Sequence, residues 1–380
     1  MSPSRRIFAA ALLGGLLSVP CVASITGYIQ TNLVSDGAVP ANHLDADLKN
    51  PWGISFGPST PFWVSDNGTG KATIYRGDGT QLGLVVTIPP PPGSAPGDTA
   101  APTGTVFNDT SGFLGDRFLF ASEDGTITGW QGSLGTTAAI RVDRSAADNV
   151  YKGLAINGNR IYATDFHNGR VAVFDSNYSP VSLSANAFLD PNLPAGYAPF
   201  GIQNINGSLY VTFAQREAGG DDDVHGPGFG FVDKFNADGT LLQRLIVGSP
   251  GNPNSPLNAP WGLALAPASF GELSGKLLVG NFGDGRINAF DPTNGIFVDA
   301  VRDVNGSPIM IDGLWGIAFG NAGPHFDPNK LYLTAGPNDE ENGLFGSLRS
   351  AVPEPGYSVL VGCALMSLGV FRRLRFRDLT

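Results

Sequence analysis

Short apolar runs alternate with Gly-, Asn- and Asp-rich turns along most of the chain. Residues 160–164 form one such run, Asp165-Phe166-His167-Asn168-Gly169 breaks it, and 170–174 alternates apolar with polar. The same order returns at 276–280, Asn281-Phe282-Gly283-Asp284-Gly285 and 286–290, and again at 62–65, Asp66-Asn67-Gly68-Thr69-Gly70 and 72–75. A period of two residues marks strands, and Asn-Gly or Asp-Gly between two strands marks a hairpin. The pattern predicts an all-β protein built from consecutive hairpins.

A larger period overlies the small one. A glycine opening an apolar stretch occurs six times, at Gly53, Gly104, Gly153, Gly201, Gly262 and Gly316, with spacings of 51, 49, 48, 61 and 54 residues. That length suits four short strands with turns, the size of a β-propeller blade, and disfavours an open β-solenoid. A glycine on each inner strand follows from blades converging at an axis, where side chains have little room. Trp precedes the glycine at Trp52, Trp261 and Trp315 only, which points to packing between blades rather than to a binding platform. The sixth copy has strand-like runs at 317–319, 330–334 and 344–348 and then no fourth. The unassigned β-like stretch 27–34 is therefore expected to supply that outer strand and close a single six-bladed propeller over residues 25–350, removing the open seam.

Composition agrees: 52 Gly and 29 Pro with only 15% charged residues favour turns and strands over long helices. A net charge of −10 excludes a generic nucleic-acid binder, which needs a basic face. The ends read as addresses. Residues 1–24 have the two arginines, apolar stretch and Cys21-Val22-Ala23 cleavage site of a secretory signal peptide. Cys21 leaves a lipoprotein as an alternative, although Pro20 stands where a small residue should precede a lipidated cysteine. At the other end Val352-Pro353-Glu354-Pro355 precedes the apolar stretch 357–371 and an arginine cluster ending at Arg377. Fifteen helical residues reach only about 22 Å, short of a ~30 Å hydrocarbon core. The order resembles the PEP-CTERM sorting signal of Gram-negative bacteria, over 351–380, which implies an exosortase-type enzyme as partner; an ordinary single-span anchor is the alternative. Without these ends the balance is 17 basic against 31 acidic residues, and both cysteines, Cys21 and Cys363, are gone. Export to the cell envelope, outer surface or extracellular matrix is expected, with a domain held by packing and not by disulfides.

The blade motifs resemble NHL-type and gluconolactonase-like propellers. More closely they resemble an uncharacterised family of secreted bacterial propellers with PEP-CTERM tails, over roughly residues 27–349. The resemblance rests on Asn50-Pro51-Trp52-Gly53, Phe62-Trp63-Val64-Ser65-Asp66-Asn67-Gly68-Thr69-Gly70, Asn258-Ala259-Pro260-Trp261-Gly262, Val279-Gly280-Asn281-Phe282-Gly283-Asp284-Gly285, Asp312-Gly313-Leu314-Trp315-Gly316 and Leu333-Thr334-Ala335-Gly336-Pro337-Asn338. It implies a fold and an address and leaves the reaction open.

Propeller sites usually lie at one mouth of the central channel. Asp66, Asp165 and Asn281, with His167 and Asp284 beside them, follow the second strand of their blades, where a ring of oxygens can hold Ca²⁺. In lactonase-like propellers a comparable ring polarises an ester carbonyl. The competing reading is that these side chains cap their own turns. Two acidic loops add Asp221-Asp222-Asp223 with His225, and Asn338-Asp339-Glu340-Glu341-Asn342. Ca²⁺ or solvent would relieve three adjacent carboxylates, but their spacing is not that of an EF-hand. Any cation is expected to be Ca²⁺ or Mg²⁺ rather than zinc, since oxygen donors dominate and thiols are absent. The four histidines show no metal-ligand spacing. These features favour a binding or scaffold module for a polysaccharide or envelope protein. The alternative is a Ca²⁺- or Mg²⁺-dependent hydrolase or lyase acting on esters or acidic polysaccharide.

Overall fold

The computed structural model describes residues 27–351 apart from 322, 324 and 325. The expected signal peptide, the sorting segment beyond Ala351, both cysteines and His325 lie outside the described residues.

Six antiparallel sheets follow one another along the chain. From the axis outward, blade one comprises Pro51–Ser55, Phe62–Asp66, Lys71–Tyr75 and Val86–Thr87; blade two comprises Pro102–Phe107, Phe118–Ser122, Thr126–Trp130 and Ala139–Asp143. Blade three has Tyr151–Asn157, Arg160–Asp165 and Arg170–Asp175; blade four has Tyr197–Ile205, Ser208–Arg216, Phe231–Phe235 and Leu241–Val247. Blade five has Pro260–Leu265, Leu277–Asn281, Ile287–Phe290 and Phe297–Ala300. Blade six has Leu314–Phe319, Lys330–Ala335 and Leu344–Ser350, and its outer strand is Tyr28–Ser35 from the other end of the chain.

That outer strand pairs antiparallel to Leu344–Ser350, in register from Tyr28 opposite Ser350 to Ser35 opposite Leu344, with a bulge between Asn32 and Val34. The expected closure is the observed one. Tyr28 also ties it to blade five: its hydroxyl donates to Phe270 O at 2.9 Å and accepts from Leu273 N at 3.1 Å.

Each inner strand lies against the next around the ring, the sixth against the first. The repeat glycines make this possible. A Cβ on Gly201 would sit 2.1 Å from Trp261 O, and one on Gly316 would sit 2.5 Å from Trp52 O, so backbone touches backbone at these joints. Threonines sew the joints: Thr164 Oγ1 donates to Phe200 O at 2.7 Å, and Thr334 Oγ1 to Trp52 O at 2.6 Å. The residue after each glycine (Ile54, Thr105, Leu154, Ile202, Leu263, Ile317) narrows the channel to a waist holding only about 50 Å³.

Blade three departs from the expected four strands. Its fourth position is reduced to a single bridge between Phe174 and Pro180, with Val181 N donating to Val173 O at 2.8 Å. Proline offers no N–H to a ladder, and the chain beyond it runs into turns rather than back along Arg170–Asp175. Blade one starts with the same bridge, Tyr75 to Gln81, but its chain returns to pair Val86–Thr87 with Lys71 and Ala72.

Candidate functional site

The residues before the repeat glycines stand where the inner strands begin, and three of them, Trp52, Lys152 and Trp315, border the cavity at that mouth. In chain order all six are Trp52, Thr103, Lys152, Phe200, Trp261 and Trp315. Trp52 and Trp315 stack with ring centroids 3.4 Å apart, and Trp261 meets both edge-on at 5.9 and 5.8 Å. Phe282 stacks on Trp315 at 4.0 Å. The expected packing role of the tryptophans is what the structure shows, and Trp52, Trp315 and Phe282 also form the floor of a cavity.

One cation sits among these rings. Lys152 is 2% exposed, its ammonium 5.3 Å from the centre of the Trp52 ring. It pairs closely with Glu123 and, at 3.1 Å, with Asp222. Burial acts to lower the pKa of this lysine, but Glu123 and then Asp222 outweigh it and hold the ammonium above the ordinary lysine range. A buried charge of this kind stands only because both partners are present.

Above the floor is a cavity of about 410 Å³ bordered by residues of all six blades and their connections, including Trp52, Glu123, Lys152, Asp222, Phe282 and Glu340. Its rim is a chain of hydrogen bonds. Trp315 Nε1 donates to Asn50 Oδ1 at 3.0 Å, and Asn50 Nδ2 donates to Glu340 Oε2 at 2.6 Å. Asn67 Nδ2 donates to Glu123 Oε2 at 2.8 Å. Asn50 has φ of 43°, and Asn338, Asp339 and Glu340 have φ of 58°, 51° and 66°. This run of left-handed residues is costly for side chains other than Gly or Asn, and it places Glu340 at the rim. Burial raises the Glu340 carboxyl to about 7; Asn50 opposes that shift, while the charge of Glu123 reinforces it. A carboxyl titrating near neutrality in a cavity can exchange a proton with a ligand.

The acidic loop of blade four folds over this mouth, and its three carboxylates have three different partners. Asp221 meets His167 Nδ1 at 2.5 Å, Asp222 meets Lys152, and Asp223 meets His225 Nδ1 at 3.3 Å. The Asp223 hydrogen bond raises the His225 pKa against the effect of partial burial. Mutual repulsion within the triplet is thus relieved by neighbouring side chains.

Asp66, Asp165 and Asn281 are fully buried in three separate blades, and none of them borders the mouth cavity. Asp165 accepts from Asn149 Nδ2 at 2.6 Å and pairs with Arg170 at 2.9 Å, inside its own hairpin. Asn281 donates to Pro256 O at 3.0 Å and to Asp284 Oδ1 at 3.1 Å. Asp66 lies beside Tyr75, Thr73 and Asp45; burial, opposed by Thr73 and reinforced by Asp45, pushes its carboxyl well above the usual range. Among the described residues no three His, Cys, Asp or Glu side chains are placed to share a metal ion.

Glu123, Lys152 and Asn50 carry the site but do not stand out in the linear pattern. The signal for Lys152 was its position: it fills, in the third copy, the place that Trp52, Trp261 and Trp315 fill elsewhere.

No family model matches the chain. It is 34% identical over 343 residues to "Uncharacterized protein R648" of Acanthamoeba polyphaga mimivirus, covering 86% of this chain and 81% of that protein. It is also 34% identical over 333 residues to "Uncharacterized protein L690" of the same virus, covering 83% and 84%. Among solved structures it is similar to virginiamycin B lyase from Staphylococcus aureus, with 15% identity, TM-score 0.46 and coverage of 85% and 99%. It is similar as well to the PQQ-bound aldose sugar dehydrogenase of Streptomyces coelicolor, with 11% identity, TM-score 0.48 and coverage of 86% and 100%. These relatives are viral, and the chain belongs to one family with these mimivirus proteins.

Proposed function

We propose that this protein is an exported binding module whose ligand site is the polar mouth of the propeller channel. One observation carries the reading: a cavity of about 410 Å³ to which every blade contributes, with a buried, fully paired lysine in an aromatic floor. Residues that converge from six blades are held by the whole ring, and such preorganisation favours recognition of a ligand. Export to the cell envelope or matrix, with processing by an exosortase-type enzyme, rests on the sequence of residues 1–24 and 351–380. A bacterial origin with NHL-like ancestry rests on the motif resemblance.

A hydrolase or lyase is the second reading, and Glu340 favours it, since a carboxyl titrating at about 7 inside a cavity suits general acid–base work. Thermal-shift screening of the protein against small polar ligands, run beside turnover assays on esters and lactones with and without EDTA, separates the two. Binding without turnover, weakened by Glu340→Gln, is expected. Turnover that rises or falls around pH 7 and disappears in Glu340→Gln would replace binding by catalysis. Mass spectrometry of envelope and medium fractions tests the address. Mature protein beginning after about Ala23 and ending near Val352–Pro355 is expected, and intact Cys363-containing peptide confined to the cytoplasm would overturn it.

A further inference from the structure

The three channel tryptophans differ in one respect. Trp261 Nε1 donates to Lys152 O at 3.1 Å and Trp315 Nε1 donates to Asn50 Oδ1 at 3.0 Å. The Trp52 indole N–H has no acceptor among the described residues, although Trp52 is only 2% exposed. Leaving a buried donor unpaired is costly, and Trp52 borders the mouth cavity. An acceptor arriving from the cavity removes that cost.

The rest of the lining narrows what brings the acceptor. Glu123, Asp222, Asp223, Asp312, Asp339 and Glu340 face one lysine, which Glu123 and Asp222 already neutralise, and one histidine, His225, paired with Asp223; the carboxylates outnumber the two. A carboxylate or phosphate ligand would meet uncompensated negative charge at close range. A simple ammonium ion would satisfy the carboxylates but offers Trp52 nothing to accept its proton. Hydroxyl groups do both, donating to carboxylates and accepting from an indole N–H. Phe282, partly exposed and stacked on Trp315, adds an apolar wall for the C–H face of a ring.

Resting on the binding reading above, we infer that the mouth takes a neutral polyhydroxylated ligand, a mono- or disaccharide. One of its oxygens accepts from Trp52 Nε1, and its hydroxyls donate to carboxylates such as Asp223 and Glu340. The cavity volume lies within the range of small-molecule sites.

Calorimetric titration of the protein with mannose, glucose, cellobiose, glucuronate and spermidine tests this. At least one neutral sugar is expected to bind, with glucuronate at least tenfold weaker. Trp52→Phe, which keeps an aromatic floor but removes the N–H, should weaken the sugar about tenfold. Glu340→Gln, at the rim and away from the ring joints, should also weaken it and guards against a folding defect in the first variant. Binding of spermidine or glucuronate but of no neutral sugar, if lost in Glu340→Gln, overturns the ligand class and keeps the mouth as the site. Sugar binding that neither variant changes places the ligand elsewhere and overturns both. No heat from any of the five overturns the sugar inference as well.

Discussion

The two mouths of the channel are made by the same six inner strands and share almost no chemistry. Where the strands begin, Glu123, Lys152, Asp222, Asp223, His225 and Glu340 gather over stacked aromatic rings. Where they end, a cavity of about 810 Å³ is lined mainly by apolar and amide residues such as Ile54, Phe56, Phe107, Ile156, Gln203 and Asn321, and Asp109 is its charged member. The positions flanking each repeat glycine explain the contrast. The residue after the glycine sits in the narrow waist and is aliphatic in five copies and Thr in the other. The residue before it faces a wider space, and it varies from Trp to Thr, Lys and Phe. Geometry restricts one position and leaves its neighbour free to carry chemistry.

The waist that divides the mouths is the place where the comparison breaks most severely. Gly201→Ala places a Cβ against Trp261 O, and backbone cannot yield without opening the ring. A loss of about 4 kcal/mol or more is expected, read as a collapse of the denaturation midpoint. A variant within about 0.5 kcal/mol of the parent would show that the blades can slide apart at the axis.

Next comes the polar mouth itself. Lys152→Met keeps the length of the side chain and leaves Glu123 and Asp222 without their cation, so about 3 kcal/mol of stability should be lost. Adding Glu123→Gln should restore part of that loss, because the two changes act on one pair. The matched change at the other mouth, Asp109→Asn, lies on an exposed position and should shift stability by less than about 0.5 kcal/mol. Equal effects at the two mouths would erase the distinction.

The smallest effect is a pH dependence. Burial raises Glu340 to about 7 and, in blade four, Asp233 to about 7, the latter also pushed up by Asp190 against Arg244. Each binds its proton more tightly folded than unfolded, so the stability it adds is present below about pH 4 and is lost as pH rises through about 7. His225, raised by Asp223, acts in the same direction through its own higher range. The lowered carboxyls of Asp36, Asp78 and Asp143 lose their contribution only below the ordinary carboxylate range. The protein should therefore be more stable at pH 5 than at pH 8, by about 2 kcal/mol after solvent screening at half-buried Glu340. Denaturation curves at the two values measure it. Glu340→Gln should remove the part that belongs to the mouth, and Asp233→Asn the part that belongs to blade four. A protein more stable at pH 8 would mean that neither carboxyl is protonated in the fold.

What the sequence determined by itself is the architecture. Period-two runs, Asn-Gly and Asp-Gly turns and six glycines about fifty residues apart are local or evenly spaced signals. Even the ring closure by 27–34 was legible, because an outer strand was lacking at one end and spare at the other. The hairpin residues Asp165 and Asn281 were legible both as metal ligands and as turn caps: their partners Arg170 and Asp284 lie within five positions, and a short-range reading cannot distinguish a cap from a ligand. Tertiary structure alone decided the site. Asn50 meets Glu340 across 290 positions, and Lys152 meets Asp222 across 70. No composition or spacing encodes which side chains six converging strands bring together at the axis. The sequence specified six similar blades, and closing them into a ring made one unlike residue, Lys152, the centre of the mouth.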